Sequence, residues 1–188
     1  PCIAGELMNY ELSKLGKALD EPSRPCIAVL GGVKVDDSVT VADNMLRKGI
    51  CDHVWVTGGV ANLFLYISGV DIGEVNVDFL QKETGKSWDN TVMTAKKLII
   101  DFPECIIMPS DVALHIEDNR VDEPLKNLPL NAPIFDIGIT SIQSLSKGIK
   151  SAGTIILNGP AGVFEMSDFA LGTIEILNAC AEGNGYAV

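Results

Sequence analysis

Apolar positions fall into two kinds of run along the chain. Short continuous runs, typical of strands buried on both faces of a sheet, predict strands at 26–30, 54–56, 105–108, 112–114, 133–137, 154–157 and 186–188. Helical spacing predicts helices at 6–20, 38–48, 89–100, 140–150 and 167–182, and another that follows Gly58-Gly59 and runs through Ile67. Polar, proline-containing residues at 117–133 predict an excursion from the sheet as an edge hairpin.

Strands that alternate with helices indicate an α/β fold. We expect a doubly wound, Rossmann-like parallel sheet with helices on both faces, giving three αβα layers. Sheets of this kind bind ligands beyond the carboxyl ends of their strands. Three glycine-rich turns follow predicted strands, at Gly31-Gly32, Gly58-Gly59 and Gly159–Gly162. These turns are therefore expected at one edge of the sheet, as parts of one ligand site.

Composition narrows the class of protein. The 188 residues are 47% hydrophobic, yet no apolar run approaches the roughly 18 residues that cross a bilayer, so a buried sheet explains the mean hydropathy of +0.25. A net charge of −11 disfavours nucleic acid and anionic membranes as partners. Five widely spaced cysteines without a CxxC pair argue against a zinc site or a disulfide framework, and predict a reducing cytoplasm. The segment 1–5 is neither a signal peptide nor an initiator sequence, which predicts the interior of a longer protein.

The first glycine turn offers a phosphate site. Gly31 and Gly32 lack a Cβ, so a ligand can approach the main chain, and Lys34 can place an ammonium beside phosphate oxygens at a helix N-terminus. A tight structural turn with a solvated lysine is the simpler explanation of this segment when it is taken alone. Gly58-Gly59 allows either a base against the main chain or close packing of a helix. Neither a Walker loop nor GxGxxG occurs, which weakens the classical NTPase and dinucleotide-binding interpretations.

The turn at 158–165 carries the more specific signal. Asn158 offers an amide donor for a phosphate oxygen, Pro160 and Val163 form a rigid apolar wall, and Glu165 can accept hydrogen bonds from a ribose diol. A structural turn with an exposed acid is the alternative. The string Asn-Gly-Pro followed by Gly-Val-Phe-Glu is too particular for a routine turn, so it favours a nucleotide site.

Other polar residues receive structural interpretations. His53 and His115 lie beside apolar strand segments without a carboxylate at a set spacing, so they are predicted to be structural. Asp111 is interpreted as part of a structural turn. Asp36 and Asp37 are predicted to be helix caps.

Taken together, these motifs resemble the phosphoglycerate kinase family. The resemblance rests on GELM at 5–8, LGGVKV at 30–35, TGGVA at 57–61, MPSDV at 108–112, DIG at 136–138 and NGPAGVFE at 158–165. They occur in order over nearly the whole chain. The family has two doubly wound lobes joined by a helical hinge. The resemblance implies that residues 1–20 are an interlobe helix region and 21–188 a nucleotide-binding lobe, truncated at its C-terminus and without the N-terminal substrate lobe.

The resemblance also implies the chemistry and the roles of the site residues. The reaction is reversible phosphoryl transfer between 1,3-bisphosphoglycerate and ADP, giving 3-phosphoglycerate and ATP, with Mg²⁺, in glycolysis and gluconeogenesis. Lys34 would neutralise the migrating phosphoryl group, Asn158 would contact phosphate, and Glu165 would hold the ribose hydroxyls. The residues that would line the adenine pocket are Gly32, Val33, Gly58, Gly59, Pro160 and Val163.

Two departures from the family pattern qualify these roles. Ser38 stands where the family has a second lysine, which predicts a divergent, archaeal branch. The family's metal-holding aspartate, in a Gly-Gly-Gly-Asp-Thr loop, is expected beyond Val188, so no metal ligand is assigned. We therefore expect this chain alone to be inactive and to bind nucleotide weakly at best.

The alternative function is a non-catalytic nucleotide-binding module of the same fold, against which the intact Lys34 and Glu165 argue. A Rossmann dehydrogenase lobe is disfavoured because a dinucleotide fingerprint is missing.

Overall fold

The computed structural model describes residues 5–188. Residues 1–4 lie outside the described part, and with them Cys2 and most of the segment 1–5 that was predicted to belong to the interior of a longer protein. The helices are α1 (Glu6–Asp20), α2 (Val35–Arg47), α3 (Gly58–Ile67), α4 (Glu74–Thr84), α5 (Trp88–Asp101), α6 (Ile139–Ser151) and α7 (Leu171–Glu182). The strands are β1 (Cys26–Leu30), β2 (His53–Val56), β3 (Ile106–Ile107), β4 (Asp111–Ile116), β5 (Asn119–Pro124), β6 (Ile134–Ile137), β7 (Thr154–Asn158) and β8 (Tyr186–Ala187).

A five-stranded parallel sheet in the order β3-β2-β1-β7-β8 forms the centre of the fold. All five residues of β1 are buried. Its residues Cys26, Ala28 and Leu30 join a core with α2, α3 and α5, whereas Ile27 and Val29 join a second core with α6 and α7. Because helices cover both faces, a continuous apolar strand is stable here. The predicted three-layer α/β fold is confirmed.

A second, antiparallel sheet in the order β5-β4-β6 stands beside the first. The chain reverses between β4 and β5 at Glu117 and Asp118, whose φ angles are 49° and 61°. The hairpin predicted within 117–133 is instead formed by β4 and β5, so only its second strand lies in that range. The predicted strands at 112–114 and 133–137 belong to this antiparallel sheet rather than to the parallel one. The first four residues of β4 are all buried, so its apolar run cannot be told from that of a parallel strand.

The helices differ from the predicted ones mainly at their starts. Helix α4 was not predicted, because its buried side chains include the polar Asn76 and Thr84, which weaken the apolar periodicity. Asp36 and Asp37 lie within the first turn of α2 and not at its cap, which corrects that prediction. Asp89 or Asn90 is a natural cap for the helix predicted at 89–100, but both lie inside α5, which follows a short 3₁₀ helix at Gly85–Ser87. The last predicted helix is divided into a 3₁₀ turn at Ser167–Phe169 and α7.

Two of the polar residues given structural interpretations have clear structural contacts. The Asp111 carboxylate accepts the N–H groups of Thr140 at 2.9 Å and Ser141 at 2.8 Å, so it caps α6, which confirms a structural role. His115 stacks on Phe135 with ring centroids 5.0 Å apart, in agreement with a structural histidine, but its buried Nε2 has no hydrogen-bond partner and lies 3.5 Å from Asp118 Oδ1. The interpretation of His53 remains a prediction.

Two further observations concern the cysteines and the helix lengths of the described part. The four described cysteines, Cys26, Cys51, Cys105 and Cys180, are free. Burial raises the pKa of the Cys51 thiol to about 12, so the reactive thiolate is rare at neutral pH. Within residues 5–188, every helix is too short or too polar to cross a membrane.

Candidate functional site

The three glycine turns meet at the carboxyl ends of β1, β2 and β7. The N–H of Gly31 donates to the carbonyl of Asn158 at 2.7 Å, and the N–H of Gly32 donates to the carbonyl of Pro160 at 2.8 Å. The N–H of Gly59 then donates to the carbonyl of Gly32 at 3.0 Å. The turns thus form one hydrogen-bonded junction, as their positions in the sequence predicted.

Close contact between main chains explains why these positions are glycines. A Cβ on Gly31 would collide with the Pro160 carbonyl oxygen and the Thr57 hydroxyl. A Cβ on Gly159, whose φ is +80°, would lie 2.6 Å from the Gly31 carbonyl oxygen. A Cβ on Gly59 would lie 3.0 Å from the Gly32 carbonyl oxygen, so this glycine serves close packing of α3 against the first turn. The additional role of Gly58 and Gly59 in binding a base stays a prediction.

Lys34 and Asn158 lie beyond and at the carboxyl ends of the two central strands, β1 and β7, respectively. Asn158 ends β7 directly opposite Leu30, the last residue of β1, and Lys34 is the N-cap residue of α2 four positions later. Both side chains are exposed, and Val33 beside Lys34 is 48% exposed. Within the segments 31–34, 57–61 and 158–165, Lys34 is the single basic residue. An anion at this edge would therefore meet one exposed cation at the start of α2 and one amide at the end of β7.

Residues 161–165, the second arm of the last turn, are held by contacts different from those that hold residues 158–160. The N–H of Val163 donates to the Phe135 carbonyl on β6 at 2.8 Å, and the N–H of Ala161 donates to the Thr173 hydroxyl on α7 at 3.0 Å. Glu165 is exposed at the end of this arm. The structure thus brings Gly32 and Pro160 into direct contact, whereas Val163 and Glu165 lie on an arm fixed to the antiparallel sheet.

A buried ion pair lies beneath this arm. The Asp136 side chain is 0% exposed and its carboxylate accepts from Arg120 at 2.8 Å and from the N–H of Gly172 at 2.9 Å. Burial raises the pKa of Asp136, and the hydrogen bonds from Arg120 and Gly172 oppose that rise only in part. Arg120 matches no motif, and Asp136 appears in the sequence only as part of the DIG motif at 136–138, so neither residue was predicted to be half of an ion pair.

Ser38 faces inward. It is 2% exposed on the buried side of α2, where its neighbours on the helix are Val35, Val39 and Ala42. A small, neutral side chain suits this position, since an ammonium here would have to leave the core or be desolvated. The position that carries the family's second lysine thus adds no charge to the surface of the junction.

An apolar groove of about 420 Å³ runs beside the last turn, towards α7. Its walls include Val29, Pro160, Phe164 and Ile176. Of the residues predicted to line an adenine pocket, Pro160 alone borders it. The groove and the predicted nucleotide wall are therefore different surfaces. The described residues Gly5–Val188 form no group of three or more metal-ligating side chains with suitable placement.

Comparison with known proteins agrees with this architecture. The family model described as phosphoglycerate kinase matches residues 1–188. The phosphoglycerate kinases of Methanobacterium bryantii and Methanothermobacter thermautotrophicus are 46% and 47% identical over 188 residues, which is 100% of this chain and 45% of each relative. The chain thus spans less than half the length of these relatives. Both come from archaea, as Ser38 predicted.

Solved structures give the same family. The crystal structure of phosphoglycerate kinase from Pyrococcus horikoshii superposes with a TM-score of 0.89 at 36% identity, covering 98% of this chain and 46% of that one. The phosphoglycerate kinase of Coxiella burnetii gives a TM-score of 0.81 at 29% identity, with the same two coverages. The match of sequence model, fold and motif order over the whole of its length shows that this chain belongs to the phosphoglycerate kinase family.

Proposed function

We propose that residues 21–188 form the nucleotide-binding lobe of a phosphoglycerate kinase, and that residues 1–20 connect it to a substrate lobe. The full-length protein would transfer a phosphoryl group reversibly between 1,3-bisphosphoglycerate and ADP, as a cytoplasmic enzyme of glycolysis and gluconeogenesis. Coverage of only 45% of the relatives' length supports the assignment to one lobe.

The observation that carries the proposal is the junction of Gly31-Gly32 with Asn158–Pro160, which sets Lys34 and Asn158 at the ends of paired strands. Phosphoryl transfer requires little covalent catalysis by the protein and depends on positioning of the reactants and neutralisation of their charge. A lysine, an amide and a helix N-terminus at one strand edge are sufficient groups for positioning a phosphate and neutralising its charge.

The proposed roles follow from chemistry and position. Lys34 neutralises charge on the migrating phosphoryl group, and the Asn158 amide donates to a phosphate oxygen. Glu165 accepts hydrogen bonds from the ribose hydroxyls. The proposed adenine contacts are Gly32, Val33, Gly58, Gly59, Pro160 and Val163.

The proposed substrate form of the nucleotide is Mg-ADP or Mg-ATP, because the family uses nucleotides with a metal ion. When bound, the ion neutralises phosphate charge. Residues Gly5–Val188 do not supply a metal-binding cluster of their own. The chain's contribution in this proposal is therefore limited to holding the base, ribose and phosphates.

Replacing Glu165 with alanine tests the proposed ribose contact. In the full-length kinase carrying this lobe, Glu165→Ala should raise KM for ADP about tenfold with kcat nearly unchanged, because a ribose contact is made equally in the ground and transition states. Steady-state kinetics with each substrate varied measures this. Glu104→Ala, an exposed glutamate at the opposite end of the sheet, serves as the control. Equal losses towards both substrates would instead indicate a folding defect and remove the assignment.

The isolated 188-residue chain is expected to show no 3-phosphoglycerate-dependent turnover of ATP, because the proposal places the acceptor on another lobe. A coupled assay with purified chain at high concentration measures this, with the full-length kinase as the positive control. Turnover that depends on 3-phosphoglycerate and disappears in Lys34→Ala chain would overturn the division into lobes.

A further inference from the structure

Arg120 on β5 uses every donor of its guanidinium. Nε and one Nη donate to the two Asp122 carboxylate oxygens, both at 3.0 Å. That same Nη also donates to the Ile137 carbonyl at 2.9 Å. The other Nη donates to Asp136 at 2.8 Å and to the Asp168 carbonyl at 3.0 Å. The side chain is 10% exposed, so it is a buried clamp and not a surface charge.

The contacts of this clamp reach both ends of the segment that carries Glu165. Asp168 lies in the 3₁₀ turn just after Glu165, and Arg120 holds its carbonyl directly. Asp136 accepts the N–H of Gly172 at the start of α7. A Cβ on Gly162 would lie 2.6 Å from the Asp136 Cγ, so the segment passes against the buried carboxylate before it reaches Glu165.

The aromatic packing around the clamp adds a second layer of support. The Arg120 guanidinium lies 6.0 Å from the Phe169 ring centroid, and Phe169 meets Phe135 edge to face at 5.2 Å. Phe135 also accepts the N–H of Val163 through its carbonyl. The antiparallel sheet is thus joined to the 162–169 segment by hydrogen bonds and ring contacts, while the Arg120–Asp136 ion pair links two strands within the sheet.

We propose that Arg120 is a positioning residue of the nucleotide site, which sets the Gly162–Glu165 segment through Asp136 and the Asp168 carbonyl. This inference rests on the proposed function, since it assumes that Val163 and Glu165 contact nucleotide. It also explains what the hairpin of β4 and β5 contributes, because β5 carries Arg120, which bonds Asp136 and the Asp168 carbonyl. Displacing a binding group by about 1 Å can lower the rate up to 10²-fold in a well-ordered site. A loosened clamp should therefore change the kinetic constants.

The test is Arg120→Lys in the full-length kinase, which keeps the charge but removes the planar fork. KM for ADP should rise about tenfold, with kcat within about twofold and KM for 1,3-bisphosphoglycerate unchanged. Hydrogen exchange of amides 161–168 should become faster while β1 and α2 stay protected. Arg47→Lys is the matched control, because Arg47 also pairs with two carboxylates but lies on the exposed face of α2.

A milder variant keeps the test decisive if Arg120→Lys folds poorly. Asp122→Asn retains an oxygen for the N–H of Ile139, which now bonds the carboxylate at 3.0 Å, and removes only one arm of the clamp. It should raise KM for ADP about threefold at a melting temperature close to that of the unchanged protein. Unchanged KM for ADP in both variants, or unchanged exchange at 161–168, overturns the inference.

Glu165→Ala separates this inference from the proposed function. If that variant raises KM for ADP while Arg120→Lys does not, the ribose contact stands and the positioning role of Arg120 is wrong. If neither variant affects KM for ADP, the assignment of the segment to nucleotide binding is wrong as well. If only Arg120→Lys raises it, Arg120 acts by a route other than Glu165 and the inference fails.

Discussion

Lys34→Ala is expected to lower kcat of the full-length kinase by about 10²- to 10³-fold, with KM for ADP changed by less than about threefold. The size follows from the charges of the junction. Lys34 is the single basic residue of the three turns, and Ser38 is neutral and buried. Asp36 and Asp37 add two negative charges to the first turn of α2. Without Lys34, the transferring group would meet no basic residue of the turns.

Matched variants make this expectation specific. Lys48→Ala removes an exposed lysine from the other end of α2 and should leave kcat unchanged. Lys34→Arg keeps the charge and should recover part of the rate, though not all of it, since a guanidinium differs from an ammonium in shape and hydration. Rapid-quench measurement of a single turnover would separate the transfer step from product release. A full-length Lys34→Ala protein with an unaltered transfer rate would exclude Lys34 from the chemistry. Normal ADP binding without any turnover in the unchanged protein would favour a non-catalytic module.

The parallel sheet and its glycine turns were open to prediction because the physics that produces them is local. A strand covered by helices on both faces must be apolar at every position, so Cys26–Leu30 is recognisable from its own residues. Gly31 follows from the same strand, since a turn that bonds to Asn158 and touches Pro160 leaves no room for a Cβ. The meeting of the turns follows from the rule that parallel strands end at one edge.

The antiparallel sheet and the clamp beneath the last turn were not open to prediction in the same way. Arg120 is separated from Asp136 by 16 residues and from Asp168 by 48, and nothing local to Arg120 indicates either partner. Asp136 lies in a short apolar strand, where a lone acid is expected to be exposed, yet its side chain is completely buried. Such a pair depends on tertiary structure, because only folding brings a compensating charge to the buried carboxylate. The sequence predicts candidate members of the site, whereas the residues that hold the last turn are found only in the structure.

Arg120→Met is expected to destabilise the chain by about 3–5 kcal/mol at neutral pH, because it leaves a buried carboxylate without its cation. Methionine fills a similar volume, so the loss reports mainly on charge and hydrogen bonds rather than on a cavity. Asp136→Asn in the same protein removes the stranded charge while its amide oxygen can still accept from Gly172. The double variant should therefore be more stable than Arg120→Met alone, by about half of the loss.

The pH dependence of this loss has a definite sign. Burial already raises the pKa of Asp136, and removing Arg120 takes away a contact that lowers it, so the folded-state pKa rises further above the unfolded value of about 4. Below that value the carboxyl is protonated in both states and the variant loses least. As the pH rises from about 4 towards the folded-state pKa, the Asp136 carboxyl ionises in the unfolded chain but stays protonated in the folded chain. The stability of Arg120→Met therefore falls steadily relative to the unchanged chain.

Urea unfolding of the 188-residue chain between pH 4.5 and 8 measures both expectations. The difference in midpoint between Arg120→Met and the unchanged chain should grow with pH, and it should stay nearly constant with pH in the double variant, which has no carboxyl at position 136. Arg24→Met is the control: Arg24 pairs with Asp52 at the surface at 3.0 Å, where both side chains are more than a third exposed, so its loss should be below about 1 kcal/mol and insensitive to pH. A pH-independent loss in Arg120→Met would mean that Asp136 is not the residue left stranded, and the destabilisation would have to come from packing around Phe169 instead.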